Sequence, residues 1–292
     1  MVKSEIIRKK GLILNQKLVI GEKNRLEIFR QTDNGFYLRA QDGNEVLLPN
    51  QYITPSMRIG GEVDVFLYHD SEDRIVAVTT FPKAIVGEFG YFEVVDVAHF
   101  GAFVDWGLPK DLFVPKSMQK IPFKVGMKTV LRVCKDDDTD RVVGNHKYTQ
   151  YINKDTQNLS KNQEVKFIVY KETELGFKVI VENQYDGLIF HSEVFGPLRT
   201  GDKKSGYIKL IREDGKLDIA LRPTGEANEN LASQKVMEVL TANNGKMKYH
   251  YKSTPEEINL MFGLSRKIFK KALTSLSESG KITVDENGIA LK

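Results

Sequence analysis

The stretch HFGAFVDWGLPKDLFVP, residues 99–115, decides the fold. It holds two apolar runs, FGAFV (100–104) and DLFVP (111–115), with turn residues between them. Both runs are rich in the Val and Phe that favour strands. Successive side chains of a strand point to opposite faces. In GAFV, Phe103 therefore shares a face with Gly101, while Ala102 and Val104 take the opposite, core face.

Working outward, the same skeleton recurs twice. NGFYL (34–38) is followed by EVLLP (45–49), and LGFKV (175–179) by DGLIFH (186–191). Each copy then reaches a loop glycine: Gly60, Gly126 or Gly201. The loop glycine stands 25 residues after Gly35, Gly101 and Gly176 respectively. Beyond it come a strand, a charged turn (HDSEDR 69–74, KDDDTDR 135–141, REDGK 212–216) and a second strand. Matching spacing in three copies identifies one structural unit used three times. Five short strands in a unit of this size are best closed into a small barrel, which leaves no exposed sheet edge. The glycine that opens each second strand suits a bent strand in which a side chain would crowd the barrel.

Past residue 226 the pattern changes. LASQKVMEVLTAN (231–243) has helical apolar spacing. STPEEINLMFG (253–263) carries Thr254 as N-cap, Pro255 at the first helical position and Glu257 three residues after the cap, a capping box stopped by Gly263. LSRKIFKKALTSLSESG (264–280) starts on Ser265 and buries Ile268, Phe269, Ala272, Leu273 and Leu276. KITVDENGIALK (281–292) reads as a hairpin turning at Asn287-Gly288. Three helices and a hairpin make a winged helix-turn-helix. The expected boundaries are 1–82, 83–150 and 151–225 for the barrels and 226–292 for the winged helix. The fold class is mainly β with a C-terminal α+β domain.

Composition narrows the function. The 292 residues carry a net charge of +4, a mild lean towards polyanionic partners. Cys134 is the single cysteine, so no disulfide forms within the chain, and it reads as a small buried hydrophobe in a strand. The opening MVKSEIIRKKG has no signal-peptide core, and no apolar run is long enough to span a membrane. A cytoplasmic location with no membrane partner is the expectation. No GxxxxGK[ST], HExxH or CxxC motif is present. Asp136, Asp137, Asp138 and Asp140 fall in a hairpin turn, where solvated aspartates are expected. The chain reads as a non-enzyme without metal or cofactor. No oligomeric state follows from the sequence.

Residues 99–115 closely resemble the S1-type OB repeat, and the resemblance extends over 12–222 as three copies, clearest in the middle one. With the winged helix carrying FGLSRKIFKKAL (262–273), the order resembles the conserved virulence factor B family of bacterial RNA-binding regulators. The resemblance implies three tandem S1-type OB barrels, a cytoplasmic RNA binder that influences virulence-gene expression, and no catalysis. OB barrels hold single strands by stacking bases on exposed aromatics while basic groups follow the phosphates. The S1 pattern places its contact aromatics at Phe100 and Phe103. Repeat one has Asn34 in the first position and keeps Tyr37 in the second, with Phe36 turned to the core. Repeat three has Leu175 and Lys178, with Phe177 inward, and Phe190 or His191 as substitutes. The basic residues closing the turns, Arg74, Arg141 and Lys216, are expected against RNA. Trp106 reads as a barrel-rim residue.

In the winged helix, Arg266, Lys267, Lys270 and Lys271 share the side of the third helix away from its apolar face, suited to backbone phosphates. Single-stranded RNA is the expected partner, with DNA open to the winged helix. The competing readings are a protein-interaction adaptor on the ribosome or transcription machinery, and a winged-helix transcription factor.

Overall fold

The computed structural model describes residues 15–292 apart from 195 and 224, together with the side chains of all these residues except 226 and 227. The opening segment, on which the signal-peptide reading rests, lies outside the described residues.

Barrel 1 is built from β1 (Lys23–Thr32), β2 (Gly35–Arg39), β3 (Glu45–Pro49), β4 (Glu62–His69) and β5 (Ile75–Val78). They close in the order β1-β2-β3-β5-β4. Barrel 2 uses β6 (Phe89–Ala98), β7 (Gly101–Val104), β8 (Leu112–Pro115), β9 (Lys128–Lys135) and β10 (Val142–Asn145) in the equivalent order. Its end strands meet through side chains, with Gly144 lying tight against Val114 and Leu112. Barrel 3 comprises β11 (Glu164–Thr173), β12 (Gly176–Val181), β13 (Tyr185–Phe190), β14 (Lys203–Ile211) and β15 (Leu217–Ala220), again closed.

The 25-residue interval has a mechanical cause. The first strand of each barrel carries a bulge, at Phe29, Val95 and Tyr170, where its pairing with the second strand shifts register. The residue before each bulge is held by the loop glycine. Gly60 N–H donates to the Ile28 carbonyl, Gly126 to Val94 and Gly201 to Val169, each at 2.8 Å. These glycines have φ of 80°, 81° and 95°, in the region that other residues enter only with strain. The glycine that opens the second strand thus meets the end of the first strand, and the glycine that clasps the bulge meets its middle.

The barrels pack in series. In β4, Val65 and Leu67 fill barrel 1, while Phe66 and Tyr68 join the apolar cluster of barrel 2. The unbroken run VFLY is therefore a strand buried on both faces. Trp106 is only 3% exposed, stands edge-on to Phe66 at 5.4 Å and donates its Nε1–H to the Ala84 carbonyl at 2.8 Å. It is a bolt between two barrels and not a rim residue. Barrels 2 and 3 meet through Phe89, Val130, Ile168 and Ile180, with Tyr148 and Tyr170 in edge contact at 6.0 Å. Burial holds the Tyr148 hydroxyl up to about 12. Phe89 N–H donates to the Asn183 side chain across this junction.

The last unit has α1 (Glu226–Ala242), β16 (Lys246–Met247), α2 (Pro255–Phe262), α3 (Arg266–Glu278), β17 (Ile282–Val284) and β18 (Ile289–Leu291). The Thr254–Glu257 capping box, the left-handed Gly263 cap and the Ser265 N-cap are all formed. The hairpin is joined by β16 into a three-stranded wing, a strand too short to leave a periodic signal. Its core is its own, centred on Val236, Phe262 and Phe269. Cys134 is buried, which raises its thiol pKa.

Candidate nucleic-acid interface

The outward face of β7 and β8 carries two phenylalanines, joined by a third from the turn before β7. Phe103 and Phe113 are register partners across the two strands, their rings 5.3 Å apart and tilted by 41°. Phe100 lies 5.6 Å from Phe113 and 6.2 Å from Phe103, and half of its surface is open. Tilted and edge-on contacts at these separations are the favourable arrangements of aromatic quadrupoles. Gly101 makes the group possible. A β-carbon there would come within 2.5 Å of the Phe113 ring, which lies across the bare backbone.

Phe113 was not among the predicted contacts. The alternation in LFVP contains the signal, since Leu112 and Val114 are buried and Phe113 must face out. Facing the three rings across a cleft of about 670 Å³ is the edge of barrel 1, with Tyr68, His69 and Ser71.

Three aspartates stand around the rings. Asp96 stands opposite Phe103 in the ladder. Asp105 is paired with Lys83 at 2.6 Å, which lowers its pKa. Asp111 is raised, first by burial and then by Asp105 and Asp96. Two basic groups that line the cleft are committed to barrel 1, while exposed Lys116 follows Pro115 beside Phe100. Lys110 donates to the Asp70 carbonyl at 2.7 Å, and Arg141 is ion-paired with Asp73 at 2.7 Å. Arg141 thus clamps two barrels together as well as lining the cleft.

The same positions are filled differently elsewhere. In barrel 1 the ladder sets Tyr37 opposite Arg30 and Leu47. The Arg30 guanidinium lies 3.8 Å over the Tyr37 ring, so that ring is covered by a cation. Phe36 is buried, as expected. In barrel 3, Lys178 is paired with Lys171 in the ladder, and both are exposed. Phe177 is buried, and His191 stands edge-on to it at 5.2 Å with Nε2 2.9 Å from the Thr173 carbonyl. Phe190 is half-buried with Arg212 5.9 Å from its ring centre. Arg74 closes its turn on Asp70 and Glu72, and Lys216 closes its own on Asp214.

Asp136 accepts hydrogen bonds from Thr139, as turn aspartates do, and among the described residues no acidic, His or Cys cluster could hold a metal. No helix among the described residues is long and apolar enough to cross a membrane. On α3, Arg266 and Lys267 are exposed and Lys270 is half-buried, while Lys271 is drawn to Glu229 of α1.

Known families match along the chain. An S1 domain model covers residues 20–80, the second domain of the virulence regulatory factor CvfB covers 149–223, and a CvfB-like winged helix domain covers 234–291. An uncharacterized protein of Bacillus subtilis, YitL, is 31% identical over 92% of both chains. Conserved virulence factor B of Staphylococcus saprophyticus is 23% identical over 95% of this chain and 96% of its own. The chain belongs to the conserved virulence factor B family. A solved Streptococcus pneumoniae structure, titled a multidomain protein with nucleic acid binding domains, is 28% identical and covers 94% of this chain and 98% of its own, with a TM-score of 0.40. For a member of the conserved virulence factor B family, the S1 and winged-helix units are the parts in which a nucleic-acid site is to be sought.

Proposed function

We propose that this protein binds single-stranded RNA and acts as a post-transcriptional regulator, with the middle barrel as its stacking site. The observation that carries the reading is the group Phe103 and Phe113, outward on strands, with Phe100 in the turn before them, all partly open to solvent. Apolar rings kept on a surface by their own glycine suit a ligand with flat faces. Single-stranded bases have such faces, and duplex bases keep theirs stacked. The phosphates are followed by Lys171 and Lys178 of barrel 3 and by Arg266, Lys267 and Lys270 of the winged helix. The S1 and winged-helix family matches support nucleic-acid binding, and the names of the staphylococcal relatives support a regulatory role.

The test is a titration of the full chain with single-stranded RNA, single-stranded DNA and duplex DNA at two salt concentrations. RNA binds best, with a log–log salt slope of about −0.7 per phosphate contacted. No RNA binding at low salt sinks the reading.

The acidic rim of Asp96, Asp105 and Asp111 favours one second reading, an adaptor whose aromatic cleft takes a cationic peptide. A lysine- and arginine-rich peptide that displaces no RNA, and does not bind alone, removes it.

A further inference from the structure

We infer that barrel 1 holds the same RNA strand on arginine, not on aromatic rings: Arg30 and Arg39 form a pair of guanidinium platforms for bases and phosphates. The inference rests on the RNA reading above and extends it to a site that the aromatic pattern does not mark.

Two arginine–aromatic stacks stand on the outward face of β1 and β2. Arg30 lies 3.8 Å over Tyr37, and Arg39 lies 3.7 Å over Phe29. The bulge brings them together, because it turns both Phe29 and Arg30 outward when strict alternation would bury one of them. Each guanidinium is oriented by a glutamate. Glu45 accepts from Nε and Nη2 of Arg30 at 3.0 and 2.8 Å, and Glu27 accepts from Nη2 of Arg39 at 3.1 Å.

A guanidinium this close to a ring centre has one side occupied by the ring, and Arg30 keeps 45% and Arg39 34% of the side chain accessible to a ligand. Such a plane stacks a nucleobase and donates to a phosphate, which a lysine ammonium cannot combine. The ring and the glutamate fix the plane beforehand, so less side-chain freedom is lost when a strand arrives.

Ladder register places Asp96 of barrel 2 at the position of Arg30 and Lys171 of barrel 3 likewise. The Arg39 position corresponds to Asp105 and Ile180. The two guanidinium planes therefore belong to barrel 1 alone among these three. The glutamates act as a latch, competing with phosphate for the forks.

The test uses the full chain and a labelled, unstructured RNA oligonucleotide, with thermal melting of every variant. The double variant Arg30→Ala with Arg39→Ala binds RNA about five-fold or more weakly, the loss of one or two stacked bases. Arg30→Lys with Arg39→Lys keeps the charge and fold and recovers less than half of that loss on a logarithmic scale. Glu45→Gln keeps an oxygen acceptor for Arg30 and removes the competing charge, so it tightens binding, and weaker binding in this variant would overturn the latch. Wild-type affinity in the lysine variant would overturn the platform and leave only charge. Wild-type affinity in the alanine variant would overturn any role for the pair, whereas failure of the unaltered chain to bind RNA would fell the RNA reading itself.

Discussion

Barrels 1 and 2 hang their outward side chains on the same frame and fill it with opposite chemistry. Where barrel 1 has Arg30 against Tyr37, barrel 2 has Asp96 against Phe103. Where barrel 1 covers its rings with guanidinium groups, barrel 2 leaves three rings bare within an acidic rim. Barrel 3 follows neither, with Lys171 and Lys178 in place of both ring and guanidinium. Stacking and charge, which one OB barrel commonly combines, are here parted among neighbours that are bolted together. On the proposed reading, a strand would meet bare rings in barrel 2, guanidinium groups in barrel 1 and lysines in barrel 3.

The comparison can be broken most severely at the bolt. Trp106→Ala removes a buried indole that belongs to both barrels and should cost about 3–5 kcal/mol, read as a lowered denaturation midpoint. A midpoint unchanged would mean that barrels 1 and 2 are not energetically one unit.

Next in size is the stacking group. Phe103→Ala with Phe113→Ala should weaken RNA binding by about 1–3 kcal/mol per stacked base lost, with circular dichroism unchanged. Unfolding of the barrel would show that these rings serve packing. Gly101→Ala presses on the Phe113 ring and on the Val114 carbonyl oxygen, 2.6 Å from the added β-carbon, so it should lower the melting temperature as well as weaken binding.

Thr254→Ala removes the capping box of α2 and should cost the winged helix about 1 kcal/mol, with RNA stacking by barrel 2 untouched. The smallest effect concerns Asp111. Its folded-state pKa is raised by burial and by Asp105 and Asp96, so its charged form opposes folding above that pKa, and the penalty is relieved as pH falls through it. Asp111→Asn should therefore raise the melting temperature slightly at neutral pH, and the gain should vanish at acid pH.

The barrels and the winged helix were legible because they rest on local signals. Alternation gave the strands, Thr254 and Gly263 marked the ends of a helix, and three equal glycine intervals revealed the repeat. What escaped was non-local or out of phase. Arg30 sits just past a bulge, where period-two counting loses its parity. Trp106 owes its burial to Phe66, a residue 40 positions earlier in another barrel. The commitment of Arg141 to Asp73 likewise depends on how two barrels dock, which no single strand records. Phe113 is legible in the alternation of its own strand, although the S1 pattern marks only Phe100 and Phe103.

The clasp between each loop glycine and the bulge before it is made by main chain only. A socket defined by backbone does not ask what is plugged into it. Asn34, Tyr37 and Leu47 occupy the places held by Phe100, Phe103 and Phe113, so the surface of one barrel can be exchanged for that of another without touching the wiring beneath. The three barrels are interchangeable mounts, and the order of the parts they carry is a message that could be rewritten one mount at a time.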